Sequence, residues 1–237
     1  MRGLIGVLGG MGPMATVDFF TKVIEETAAV RDQDHVPLII DSSPQIPCRV
    51  SAILRSGESP VPAMLAGLRR LEQAGAECAA IACNTAHYWY DDLCAESSLP
   101  ILHIVDAVGD ALEASDQPTP PLGLLGTEAT LSARIYQNRL SSRKIDFVVN
   151  TESEREMLVL PAIAMVKQGK ALEAGRLLQE ALHLLQRRGA GKWLLACTEL
   201  PVALAAAHPE MLGHCVDPTR VLARAAVQWS IARRTQA

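Results

Sequence analysis

The chain has 237 residues, 49% of them hydrophobic and 20% charged, with a formal net charge of -4. That much apolar side chain builds one large or two small cores, and Lys and Arg are scattered rather than massed, which argues against a nucleic-acid partner. Six cysteines (Cys48, Cys78, Cys83, Cys94, Cys197 and Cys215) with no C-x-x-C pair point to reduced thiols, and with no membrane-length apolar run or signal-like start the expectation is a cytoplasmic protein without a membrane partner.

Short apolar runs alternate with longer segments of helical period, the pattern of a mostly parallel sheet flanked by helices. Strands are predicted at Leu4 to Leu8, Leu38 to Ile40, Cys78 to Ile81 and Ile101 to His103 in the first half, and at Leu122 to Leu125, Phe147 to Val149, Trp193 to Ala196 and His214 to Val216 in the second. Between them, Val61, Met64, Leu65, Leu68 and Leu71 form one helical stripe, and Leu177, Leu178, Ala181, Leu184 and Leu185 form another. The last helix has Asp217 as N-cap and Pro218 at its first position, with an apolar face of Leu222, Ala225, Ala226 and Trp229. The Pro-rich stretch from Ser115 to Pro121 is read as the connection between the halves.

Two pairs of segments recur in one order. Gly6-Val7-Leu8-Gly9-Gly10 corresponds to Gly123-Leu124-Leu125-Gly126-Thr127, and Ala82-Cys83-Asn84-Thr85 to Ala196-Cys197-Thr198-Glu199; the offsets, 117 from Gly6 to Gly123 and 114 from Cys83 to Cys197, nearly agree. We read an internal duplication. The expected fold is therefore α/β, with two similar domains: residues 1–108 plus 214–237 carry Cys83, residues 109–213 carry Cys197, and the active site lies in a cleft between them.

The first glycine loop, Gly10-x-Gly12-x-x-Ala15 with Asp41 at the end of the next strand, also matches a dinucleotide fingerprint variant, so an NAD(P)-binding oxidoreductase is the rival reading. Against it, the second half does not continue the glycine pattern, and nucleotide binding gives no reason for twin cysteines. Glycines after a strand equally let backbone N–H groups approach a small carboxylate. A zinc site built from Cys83, His87, Cys94 or His103 lacks suitable spacing and a carboxylate.

A cysteine at the carboxyl end of a parallel strand, where a helix begins, sits where open α/β sheets bind ligands and where the helix dipole lowers a thiol pKa. Cys83 and Cys197 fit this description. Cys78, Cys94 and Cys215 read as small buried hydrophobes. The polar flanks Asn84, Thr85, Thr198 and Glu199 are costly to bury unpartnered, so the two turns are expected to face a polar cleft. Two thiols on opposite sides of a carbon suit proton removal on one face and delivery on the other, one as general base and one as general acid. Loop N–H groups with Asn84, Thr85, Thr127 and Thr198 are the natural donors to the charge that develops on the adjoining carboxylate.

Gly-Gly-Met at 9–11, Ala-Cys-Asn-Thr at 82–85 and Cys-Thr-Glu at 197–199 resemble the cofactor-independent aspartate/glutamate racemase family over almost the whole chain. The resemblance implies a two-domain α/β homodimer that interconverts the enantiomers of an acidic amino acid through Cys83 and Cys197, with no cofactor. Glu199, where glutamate racemases tend to carry histidine, is similar to the aspartate branch. By the same resemblance Cys83 serves the D-enantiomer and Cys197 the L-enantiomer, and Met11 and Gly12 join the polar residues named above in binding substrate. Arg49, in Ile46-Pro47-Cys48-Arg49, and Lys167 would hold the side-chain carboxylate. Two positions depart from the family pattern: Cys48 stands where an aspartate is expected and Ala196 where a glycine is expected. Maleate isomerisation, hydantoin racemisation and arylmalonate decarboxylation are alternatives within the wider superfamily, and a non-catalytic carboxylate-binding module is an alternative outside enzymology.

Overall fold

The computed structural model describes residues 2–114 and 119–235, in two compact units: residues up to 107 together with 219 onward, and residues 108–218. In the first unit, strand β1 (Ile5–Gly9) leads to helix α1 (Pro13–Glu26), β2 (Leu38–Ser42), α2 (Arg49–Leu54), α3 (Val61–Gln73), β3 (Cys78–Ile81), α4 (Tyr90–Glu96), β4 (Ile101–Leu102) and α5 (Ile104–Glu113), which crosses the boundary. All its strand pairs are parallel, in the order β2-β1-β3-β4. The apolar runs that predicted strands do so because β1 and β3 are buried along their whole length. Met64, Leu65, Leu68 and Leu71 of the predicted stripe are buried on α3, which packs on β1.

The second unit repeats the scheme. Strand β5 (Leu122–Gly126) leads to α6 (Glu128–Ser132), α7 (Ile135–Ser142) and β6 (Phe147–Val149); a single turn, α8 (Glu152–Glu154), continues through a π-helical turn (Arg155–Val159) into α9 (Leu160–Lys167). Then come α10 (Ala171–Arg187), β7 (Lys192–Ala196), α11 (Glu199–Ala207) and β8 (Cys215–Val216), before α12 (Pro218–Thr235) returns to the first unit. The strand order is β6-β5-β7-β8, again all parallel, so the two sheets share one topology. The core of this unit is α9, α10 and α11 packed with β5 and β7; α10 buries Ala174, Gly175, Leu178, Ala181, Leu182 and Leu185. Gly175 is required there, since a Cβ would lie 2.3 Å from the Ala207 Cβ of α11.

Several expectations change in detail. His103 does not extend β4; its ring turns back to accept a backbone N–H of α5. The return to the first unit falls after β8 rather than at 214, because Cys215–Val216 pairs with β7. The buried face of α12 is Leu222, Ala223, Ala226 and Val227, with Ala225 and Trp229 only partly covered. Cys94 is exposed, because α4 turns its neighbour Leu93 inward, and Cys215 is partly exposed, whereas Cys78 is fully buried. Residues 115–118 of the expected connection lie outside the described residues. Among the described residues no helix is long and apolar enough to cross a membrane.

One tie across the second unit has a measurable signature. Arg188, just past α10, makes a two-pronged pair with Glu154 of α8, at 2.7 Å and 2.5 Å. The guanidinium holds the Glu154 carboxyl down from the ordinary 4.5 to about 2. A depressed carboxyl stabilises the fold above its unfolded value and loses that contribution as pH falls through 4.5 toward 2. Arg188→Leu is therefore expected to lower stability by about 1 kcal/mol at neutral pH, allowing for the exposure of Arg188, and by almost nothing near pH 2. Urea midpoints of the two proteins at both pH values check this.

Candidate active site

In each sheet the cysteine leaves the same place in the same way. Cys83 lies two residues past Ile81, which pairs with Leu8 of β1; Cys197 lies two residues past Leu195, which pairs with Leu125 of β5. The Cys83 N–H donates to the Ile81 carbonyl at 2.8 Å, and the Cys197 N–H donates to the Leu195 carbonyl at the same distance. Both are three-residue turns that end a central strand and aim the chain into a helical segment. The internal duplication thus extends from topology down to one hydrogen bond.

The first unit gathers its candidates around Cys83. Met11, Ile46 and Cys83 share one apolar cluster, and α2, which begins with Arg49, packs against the 3-10 turn Thr85–Trp89. The loop carrying Met11 and Gly12 is pinned by Thr16, whose hydroxyl accepts the Gly10 N–H at 2.8 Å and donates to the Gly12 carbonyl at 3.2 Å. Gly10 has φ +84 and leaves no room for a side chain, since a Cβ would lie 2.4 Å from the Ser43 nitrogen. Gly10, the first glycine of the apparent dinucleotide fingerprint, is therefore accounted for by packing against the Ser43–Pro44 backbone. Asp41, the acid that a ribose would need, is engaged by Arg70 at 2.6 Å and by the Ser43 hydroxyl.

Arg49 donates from Nη1 to the Ile46 and Pro47 carbonyls at 2.9 and 2.7 Å, while its Nε is buried with no hydrogen-bond partner. The carbonyls fix the guanidinium plane and leave the Nε edge to meet a further acceptor. Cys48, the departure from the family pattern, is an exposed residue just ahead of α2. Burial raises its thiol, but bonds from Ser51 and Val50 and the Arg49 charge outweigh this and hold it below the ordinary thiol value.

In the second unit, Cys197, Thr198, Glu199 and Lys167 form one group. Glu199 Oε2 accepts from Cys197 Sγ and from Thr198 Oγ1, each at 3.0 Å, and Lys167 Nζ stands 3.9 Å from Glu199 Oε1. Glu199 is buried while the Lys167 side chain is 54% exposed, so the cation is free to swing and the carboxylate is not. Thr127 follows Gly126, which pairs with Ala196, so it leaves β5 level with Cys197; its hydroxyl caps α6 by accepting the Thr130 N–H at 3.1 Å.

Asn84, Thr85, Thr198 and Glu199 are all buried, at 2 to 5% exposure, and in the second turn the Thr198–Glu199–Cys197 bonds offset part of the desolvation. The expectation of an acidic thiol is overturned at Cys197. Burial, and after it the Glu199 carboxylate, hold it well above the ordinary thiol value, so near neutral pH it carries its proton and offers it to Glu199. A thiol with an adjoining carboxylate is a proton donor with a built-in acceptor, the equipment of general acid–base chemistry.

His87, four residues past Cys83, is placed by the sequence either to tune that thiol or to pack against Tyr88 and Trp89. It is buried at 4%, its Nδ1 lies 2.9 Å from the Cys83 carbonyl, and its Nε2 accepts the Ile104 N–H at 3.2 Å. Its spacing of four from Cys83, one helical turn, was the available signal. Among the described residues no three His, Cys, Asp or Glu side chains are grouped as a metal ion would need.

A family model described as Asp/Glu/Hydantoin racemase matches residues 8–226. The broad specificity amino-acid racemase RacX of Bacillus subtilis (strain 168) is 29% identical over 233 residues, 97% of this chain and 99% of that one. The structure of Picrophilus torridus aspartate racemase aligns with a TM-score of 0.85 at 32% identity, over 96% of this chain and 94% of that one. That of an aspartate racemase homologue from Pyrococcus horikoshii OT3 aligns with a TM-score of 0.76 at 25% identity, over 97% and 99%. With one family model running through both cysteine turns and relatives matched end to end, the chain belongs to the Asp/Glu/hydantoin racemase family and is an isomerase that racemises amino acids.

Proposed function

We propose that the enzyme racemises aspartate, and glutamate as a second substrate, by proton transfer between Cys83 and Cys197 with no cofactor. The observation that carries this reading is the repeated turn, a cysteine two residues past the same strand position in both sheets. In one direction the thiolate of one cysteine takes the Cα proton, and the thiol of the other delivers its proton to the opposite face. The first leaves as a thiol and the second as a thiolate, so solvent exchange resets the pair. The electron pair left at Cα spreads into the α-carboxylate, where Asn84, Thr85, Thr127, Thr198 and loop N–H groups are the proposed donors. The burial of both turns favours such chemistry, since charge–dipole interactions strengthen where water is excluded.

The preference for an acidic side chain rests on two cations. The buried, unpartnered Nε of Arg49 suits a carboxylate acceptor, and the exposed Lys167 adds a point charge. Met11 and Gly12 supply backbone next to the Cys83 turn. The similarity to an aspartate racemase supports aspartate, and the similarity to a broad-specificity racemase, together with Cys48 in place of an acid, supports a wider range of substrates.

Incubation of the purified protein with L-aspartate in heavy water, with nothing added, is expected to yield D-aspartate carrying deuterium at Cα. If neither inversion nor Cα deuteration occurs, aspartate is not the substrate; hydantoins and maleate in the same assay then separate the superfamily alternatives. Binding of aspartate without either reaction would instead favour a carboxylate-binding module.

A further inference from the structure

We infer that His87 is a positioning residue for Cys83, gripping the backbone behind the sulfur as a neutral imidazole whose other nitrogen is tied to the start of α5. This rests on the proposal that Cys83 carries a proton in the reaction, and adds to it what sets the sulfur's direction.

The tautomer follows from the partners. A carbonyl oxygen only accepts, so Nδ1, 2.9 Å from the Cys83 carbonyl, carries the hydrogen; a backbone N–H only donates, so Nε2, 3.2 Å from the Ile104 nitrogen, is bare. An imidazolium would set one N–H against another. The ring is buried and further confined, with His103 edge-on at 5.0 Å and Tyr90 stacked at 6.4 Å. His103 itself accepts the Val105 N–H at 3.1 Å, so two imidazoles rather than a hydroxyl or carboxylate receive the first N–H groups of α5.

At Cys83 both backbone polar groups are then spoken for, the N–H by Ile81 and the carbonyl by His87. The counterpart turn solves the same problem differently: the Cys197 carbonyl accepts the Leu200 N–H at 3.1 Å as α11 begins. After Cys83 the chain enters a 3-10 turn instead, and a side chain one helical turn on reaches back to hold the carbonyl. With φ and ψ of Cys83 held at both ends, the Cα–Cβ bond that carries Sγ keeps one direction, and a reacting group displaced by about 1 Å loses on the order of 10²-fold in rate.

The test compares His87→Leu, which removes both bonds, with His87→Asn, whose amide N–H stands near the place of Nδ1–H but which cannot reach Ile104. The expected result is a fall in kcat of about 10²-fold for His87→Leu with KM within about twofold, and recovery of at least about tenfold in His87→Asn. A role confined to capping α5 predicts the reverse pattern, both variants equally destabilised and both with wild-type kcat. Nitrogen-15 NMR of the wild-type enzyme gives a readout independent of whether the variants fold: Nδ1 protonated and Nε2 bare supports the assignment. An Nε2–H tautomer, or wild-type kcat in folded His87→Leu, overturns it. Full turnover in Cys83→Ser would mean instead that the role of Cys83 itself is wrong, whatever the tautomer of His87.

Discussion

Cys197→Ser is expected to lower kcat for aspartate racemisation by about 10³-fold or more, and Cys83→Ser to do the same. Serine keeps the size and the turn geometry but offers a hydroxyl that neither gives nor takes a proton usefully near neutral pH. Because both groups act in a single turnover, the double variant should be little worse than either single one. The singles differ in a telling way. Each retains one sulfur, which can remove a proton from the enantiomer presenting it and return a deuteron to the same face. One variant should then wash deuterium slowly into D-aspartate and the other into L-aspartate, with no inversion in either case, as proton NMR of the recovered, chirally resolved amino acid would show. A folded single variant whose kcat stays within tenfold of wild type removes the two-thiol mechanism.

Glu199→Gln is expected to cost about 10²-fold in kcat. The substitution keeps the shape and leaves an oxygen for the Thr198 hydroxyl, but removes the carboxylate that accepts from Cys197 Sγ at 3.0 Å. The sign of the accompanying titration is fixed by electrostatics. The carboxylate disfavours a thiolate beside it, so its removal lets Cys197 ionise at lower pH, although burial, the larger cause, still holds the thiol above the ordinary value. The thiolate absorbance of Cys197, followed against pH in a background where it is the sole cysteine, with and without Glu199→Gln, reads this directly. An upward movement, or an unchanged kcat, would mean that Glu199 is only a packing residue of α11.

Much of the fold was legible because it depends on local pattern. All eight predicted strands are present, since an apolar run between helical segments has few other ways to be buried. The paired cysteine turns were legible for the same reason: a strand end, a cysteine and a polar residue are contiguous in sequence. What escaped reading depends on partners distant in the chain. Lys167 meets Glu199 only because α9 and α11 pack together around α10. His87 finds an acceptor nearby but its donor at Ile104, across β4. The expected lowering of the Cys197 pKa failed because helix position was legible whereas complete burial beside a carboxylate was not.

The two turns, alike in backbone, differ in what stands two residues after each sulfur: Thr85 in one, Glu199 in the other. Enantiomers have equal free energy in water, so the Haldane relation forces kcat/KM to be identical for the two directions of a racemase, whatever its residues. The unlike chemistry of the halves therefore has only one outlet. It must appear as turnover and saturation constants that differ between L- and D-substrate by a common factor, a lopsidedness that sets which isomer the enzyme lingers on while leaving the final mixture racemic.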